Sequence, residues 1–422
     1  MRLDKKLWAL LLAIGPAFYG VGYTIGTGSV TAMTTAGSRY GMSLLWVLAL
    51  SCLFSWVLME AYGRFAIVTG DTAIHGFKTR FGAIGKPFAI LTAVMIVLGQ
   101  WTCLSGLVGL SANAVYEMVH LFMPSMSGSS YLFVLLLSLV MLTVMYGVIW
   151  KGSYSLFEKI LVIFVSILGL SFIVSMFIVL PDAKTIASGF VPNIPDVPGS
   201  KMMIAAFVGT TMAGPTFIVR PLLMRGKGWT TEHIPHQSRD ALTAAVLMFI
   251  INGAIMVVAT GALHARGLAV ERVLDMVNAL EPFAGRYAAA LFLVGTLSAG
   301  LSSVFPILLV APLLASDYQG KGFEVKSRLA RTLALVGCLF GLIVPVLGAN
   351  PIAAQIATQI SQVFVLPLVI VGILLMTNNT NFMGKYKAGW LLNTGMIFAF
   401  LFSCMISLTA VQAIYESLTR LN

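Results

Sequence analysis

Acidic side chains are scarce in this sequence. Only 15 of its 422 residues are Asp or Glu, and charged residues of every kind make up 10%. Soluble globular chains carry about a quarter, so a soluble domain of this length is excluded. Cysteine is nearly absent too. Cys52, Cys103, Cys338 and Cys404 each sit inside an apolar run with no CxxC spacing. That pattern excludes a disulfide framework and a cysteine metal site, and the four read as small buried hydrophobes. The five histidines, His75, His120, His233, His236 and His264, offer no metal-ligand spacing. No nucleophile–base set and no phosphate-binding loop is present, so the chain reads as a non-enzyme without a cofactor. No cleavage site follows the first apolar run from Leu7, which therefore reads as a retained span.

Apolar sequence is what the chain has in abundance. It is 59% hydrophobic with a mean hydropathy of +0.94. Runs long enough to cross a bilayer, about 20 residues, recur from end to end. We place eleven spans at 8–36, 43–67, 88–121, 131–150, 155–180, 201–224, 240–263, 286–316, 329–348, 352–376 and 389–414. This is an all-α, polytopic membrane protein forming a single transmembrane unit over 1–422. Eighteen of the 26 Lys and Arg fall on connections that share one side, seven on the other, and Arg220 lies within the sixth span. The bias puts the amino terminus in the cytoplasm and the carboxyl terminus outside. It also accounts for the net charge of +11 without a nucleic-acid partner. The expected setting is a bacterial inner membrane, with the chain acting as a monomer.

Two spans are interrupted. The first carries Tyr23-Thr24-Ile25-Gly26-Thr27-Gly28-Ser29, and the sixth carries Gly209-Thr210-Thr211-Met212-Ala213-Gly214-Pro215-Thr216. Glycine costs roughly 1 kcal/mol in a helix interior and proline about 3. Each stretch is therefore expected to open its helix near mid-membrane, where bare backbone is tolerated only around a cavity or inside protein. Paired interruptions at matching places mark a transporter's binding site. They divide the chain into five-helix halves of opposite orientation, 1–180 and 201–376, with an extra helix at 389–414.

The first span also reads Gly15-Pro16-Ala17-Phe18 before its break and Ala36-Gly37-Ser38-Arg39-Tyr40-Gly41 after it, followed by Leu44-Leu45-Trp46. The second ends Gly63-Arg64-Phe65-Ala66-Ile67-Val68-Thr69-Gly70. With Glu158, Leu280-Glu281-Pro282, Ser302-Ser303, Thr358-Gln359, Leu366-Pro367 and Met383-Gly384-Lys385-Tyr386-Lys387, this resembles the Nramp family of proton-coupled divalent-metal transporters. The resemblance covers nearly the whole chain and implies the LeuT-type fold, a 5+5 inverted repeat with helices 1 and 6 broken. It also exposes departures. Gly26-Thr27-Gly28-Ser29 stands where the family has Asp-Pro-Gly-Asn, and Ala213-Gly214-Pro215 where it has Met-Pro-His. The family's third-span acids fall on Gln100 and Cys103, and Arg220 takes a position where a His is common. The resemblance thus implies a transporter scaffold whose metal ligands are replaced.

The expected substrate-binding residues are Thr24, Gly26, Thr27, Gly28, Ser29, Thr210, Thr211, Met212, Ala213, Gly214, Thr216, Arg220 and Gln359. These supply hydroxyls, backbone groups, an amide and one thioether, with no carboxylate. Consecutive glycine-rich N–H groups at a half-helix start attract anions, and packing of small residues is the plainer reading. Arg220 either faces the cavity, pairing with an anion or gating the inner path, or snorkels to the surface. Glu60 and Arg64, spaced i, i+4, read as an internal ion pair or, with Gln100, as coupling residues. Glu158 and Asp240 read as helix-start acids. The coupling ion, proton or sodium, stays open. Three functions follow: an alternating-access carrier of a small polar or anionic solute, a carrier of a divalent metal ion with a remodelled site, or a non-transporting sensor that kept the fold.

Overall fold

The structure, a computed structural model, describes residues 20–22, 24–123, 129–151, 154–271, 273–321 and 326–419. The expected span before Gly20, and Tyr23 of the first break, lie outside these. Every regular element among the described residues is helical. In chain order the main helices are α1 Thr27–Tyr40, α2 Leu45–Thr69, α3 Gly85–Phe122, α4 Ser130–Lys151, α5 Tyr154–Ile178, α6 Ser200–Thr211, α7 Gly214–Gly226, α8 Ile234–Ala262, α9 Val273–Gln319, α10 Arg328–Gly341, α11 Pro351–Gln362, α12 Leu366–Asn378 and α13 Trp390–Thr419. Nine helical stretches among the described residues are long and apolar enough to cross a membrane. The predicted fifth span contributes the shorter apolar stretch Ile163–Ile178.

Burial sorts these helices into centre and rim. The window spanning α6 and α7 is 94% buried, whereas that of α4 is 22%. Leu132, Leu136, Val140 and Val144 of α4, and Leu391, Phe398, Leu401 and Leu408 of α13, are exposed. An apolar side chain loses nothing against lipid tails, so these faces need no protein partner. At the centre, α3 packs most extensively on α9 and also on α11, while α1 and α2 pack on α8, and α7 on α2.

The backbone departs from helix where its chemistry requires it. Between α6 and α7, Met212 (φ −96°, ψ 47°) and Ala213 (φ −61°, ψ 114°) are non-helical. Pro215 sits in the first turn of α7, where its missing N–H is not needed. The carbonyl freed at Thr211 accepts a hydrogen bond from the Ser55 hydroxyl of α2 (3.1 Å). Gly26 caps α1 with extended backbone (φ −95°, ψ −168°). The predicted tenth span is not a uniform helix. A 3₁₀ turn over Val363–Val365 separates α11 from α12, because Pro367 offers no N–H to the preceding turn.

Candidate functional site

The two interruptions lie against each other. Ser29, at the start of α1, donates its hydroxyl proton to the Thr24 carbonyl (2.8 Å). Its oxygen also meets Thr210 Oγ1 of α6 (2.8 Å). With the Ser29 proton already committed, Thr210 is the donor of that pair. The Thr24 and Thr216 hydroxyls meet at 3.2 Å, and Ser303 of α9 donates to the Gly22 carbonyl (2.7 Å). The polar backbone freed by the first interruption is thus satisfied by side chains from neighbouring helices.

Around these contacts is a small cavity of about 20 Å³, lined by Thr24, Gly26, Gly28, Gln100, Cys103, Leu107, Thr210, Ala213, Ser303, Ile307 and Gln359. A space of this measure holds about one water-sized particle. No carboxylate is among its lining residues, and no cluster of three or more His, Cys, Asp or Glu suited to a metal occurs among the described residues. Gln359 forms the wall from α11. Its Nε2 donates to Cys103 Sγ (3.1 Å) and to Gln355 Oε1 (3.3 Å). Gln355 Nε2 donates in turn to the Cys103 carbonyl (2.9 Å).

The glycines are fixed by close approach. A Cβ on Gly26 would lie 2.6 Å from Ser303 Oγ, and one on Gly28 2.1 Å from Gln359 Nε2. One on Gly209 would lie 1.9 Å from the Gln359 carbonyl oxygen. A side chain at position 26 would first have to displace the Ser303 hydroxyl from the Gly22 carbonyl.

The structure brings some expected residues to the cavity and keeps others away. Thr24, Gly26, Gly28, Thr210, Ala213, Gln359 and Gln100 line it. Ser29 and Thr216 stand one hydrogen bond behind. Thr27, Thr211, Met212 and Gly214 are buried but are not among its lining residues. The Thr27 and Thr211 hydroxyls have no hydrogen-bond partner.

The structure adds to or corrects the sequence reading at four places. Cys103 is buried and free, as expected, and it also lines the cavity, where its spacing of three from Gln100 on one helix was the available signal. Arg220 neither faces the cavity nor reaches the surface. It is 2% exposed, and its Nη2 donates to Asp240 Oδ2 at 2.7 Å. Asp240 is accordingly a buried partner beyond the first turn of α8, with a side chain 3% exposed, rather than a helix-start acid. Asp317, near the end of α9, is an interior acid that sequence reading did not single out; it is 1% exposed. It accepts from Thr72 Oγ1 and from the N–H groups of Ile74 (3.0 Å) and His75 (3.3 Å), capping the short helix Ala73–Arg80.

The internal pair Glu60–Arg64 is present, at 2.7 Å. Ser238 of α8 donates to the second Glu60 oxygen (2.8 Å), so the pair ties α2 to α8 and stands apart from the cavity residues. Glu158 has no described side chain.

Comparison with known proteins places this geometry. The model of the Nramp family, natural resistance-associated macrophage protein-like, matches residues 17–413. A divalent metal cation transporter MntH from Caldanaerobacter subterraneus subsp. tengcongensis is 23% identical over 392 residues, 92% of this chain and 89% of the relative. One from Ralstonia nicotianae is 27% identical over 410 residues, 92% and 87%. Among solved structures, a manganese transporter from Eremococcus coleocola superposes with TM-score 0.76 at 14% identity, covering 99% of this chain and 89% of that one. Mhp1, a nucleobase-cation-symport-1 family transporter in a closed conformation, gives 0.61 at 15% identity, covering 95% and 92%. The shared architecture is the LeuT-type transporter fold, and with the family model spanning nearly its full length, the chain belongs to the Nramp family.

Proposed function

We propose that this chain is a secondary-active, alternating-access carrier whose cargo is a single metal cation held in a remodelled site that has no carboxylate. The observation that carries the reading is the cavity between the interruptions. It has the volume of one ion or water and is lined by hydroxyl, amide and thiol groups. The relatives, named as divalent metal cation transporters, favour the same class. Cys103 supplies the one lining group that loses a proton on binding a metal, so cation uptake releases a proton. A thiol among neutral oxygen donors favours borderline or soft cations over hard ones. The family ligands are replaced on this reading, with Gly26 and Ala213 offering no side-chain donor.

The finer architecture belongs to this proposal: eleven spans, five-helix halves 1–180 and 201–376 with a further helix at 389–414, and the Lys/Arg-rich side in the cytoplasm.

A second reading, a small polar or anionic solute, is favoured by the absence of a carboxylate lining the cavity. It is weakened because Arg220, the arginine within the sixth span, is already engaged by Asp240. Purified protein in liposomes separates the two. Saturable uptake of Cd²⁺ or Mn²⁺, with thermal stabilisation by the metal at micromolar concentration, is the expected result. Stabilisation and uptake confined to carboxylates or neutral amino acids would overturn the metal reading. No uptake of any of these would leave the fold without a transport role.

A further inference from the structure

Below the cavity, Arg220 occupies a cradle built for a cation. It follows Thr216 by one turn of α7, and Thr216 meets Thr24 at the cavity wall. Three kinds of electron donor contact the guanidinium. Asp240 Oδ2 accepts from Nη2 at 2.7 Å, and the Gln237 carbonyl oxygen lies 3.5 Å from the same nitrogen. Met59 Sδ lies 3.8 Å from Nη1. Gln237 is 1% exposed; its Nε2 donates to the Met59 (3.2 Å) and Glu60 (3.1 Å) carbonyls. Its Oε1 has no hydrogen-bond partner, and neither has Arg220 Nε.

A carboxylate and a carbonyl oxygen on one side of a buried guanidinium and a thioether on the other are donor types that a divalent transition metal accepts. The positions come from three helices, α2, α7 and α8, so the cradle is part of the tertiary fold rather than of one local turn.

We infer that Arg220 is the built-in occupant of a latent divalent-cation site formed by Asp240, the Gln237 carbonyl and Met59, distinct from the central cavity. An interior carboxylate requires a cation. The arginine supplies one that cannot leave, so a cargo ion released from the cavity is not captured there. The inference does not depend on the central site carrying a metal, because the latent site is formed by other residues.

The test uses the full-length protein in the Cys103→Ala background, which removes the thiol of the central cavity. Thermal melting is followed with Cd²⁺ or Mn²⁺ as the only added ligand. Arg220→Gln is expected to create a saturable metal stabilisation that the Cys103→Ala background lacks, with a midpoint at least tenfold below the highest metal concentration tested. Adding Asp240→Asn should abolish that gain. Arg220→Gln removes the guanidinium that Asp240 holds at 2.7 Å, so poorer folding without metal is also expected. Cd²⁺ present during purification should then restore a monodisperse protein, and Arg220→Gln/Asp240→Asn should fold without metal. The inference is overturned if Arg220→Gln gains no metal response, if its gain survives Asp240→Asn, or if only the double variant folds whatever metal is present.

Discussion

Gln359 of α11 donates from Nε2 to Cys103 Sγ of α3 at 3.1 Å, at the wall of the cavity between the two helix interruptions. The amide holds the thiol at the cavity surface. Cys103→Ala should therefore abolish stabilisation by Cd²⁺ while changing the melting temperature without metal by only a few degrees. Cys103→Ser should keep the fold and weaken Cd²⁺ more than Mn²⁺. In a variant retaining only Cys103, a small maleimide should label the thiol slowly, and Cd²⁺ should slow it further. Equal Cd²⁺ stabilisation of wild type and Cys103→Ala would exclude the thiol from the site.

The glycines that meet Gln359 differ in what they meet. A Cβ on Gly209 would press on the Gln359 backbone carbonyl, whereas one on Gly28 would press on the end of its side chain. Backbone cannot step aside as a side chain can. Gly209→Ala should thus destabilise by about 1–3 kcal/mol, the usual range for overpacking, and Gly28→Ala by less. Gly28→Ala/Gln359→Ala should regain the stability lost by Gly28→Ala alone, read from thermal melting in detergent.

Position 26 permits a direct test of the missing acid. Gly26→Asp alone should bring no gain in Mn²⁺ affinity, because Ser303 Oγ stands 2.6 Å from the new Cβ. Gly26→Asp/Ser303→Ala opens that space and should improve Mn²⁺ binding by tenfold or more. Titration calorimetry on both variants decides it, and a gain in the single variant would refute the steric account.

Asp317 anchors the turn after α2 to the end of α9 through Thr72 and two backbone N–H groups. Hydrogen bonds to a charged acceptor are worth about 1.5–3 kcal/mol each, and their loss strands buried donors. Asp317→Ala should destabilise by about 3 kcal/mol or more. Asp317→Asn, which keeps one acceptor oxygen, should lose roughly half as much. Denaturant melts of the two variants provide the comparison.

Much of this architecture was legible from residue order. Apolar run length located the long helices, and Gly-x-Gly with Gly-Pro marked the non-helical backbone at Gly26 and at Met212–Ala213. Gln359 was legible as a polar group in an apolar span. What escaped was pairing at a distance. Arg220 and Asp240 are 20 residues apart, on helices joined by a polar connection, and neither alone signals the other. The phase of α8 held a clue. Gln237, Asp240, Ala241, Ala244, Ala245 and Met248 are all buried, a helical stripe that puts Asp240 on the interior face. Asp317 was missed for a related reason. Its partners are mainly backbone N–H groups of a turn more than 240 residues earlier, and backbone donors leave no trace in a sequence.

The contact between Thr24 and Thr216 has a consequence for speed. It is the one side-chain hydrogen bond that joins the described residues ahead of Gly26 to α7, and neither partner carries charge. A neutral hydrogen bond contributes only about 1 kcal/mol net and is little affected by screening ions. The swing of these two segments apart should then be nearly insensitive to ionic strength. A turnover rate flat across buffers from dilute to molar potassium chloride would be the signature of a latch made of alcohols.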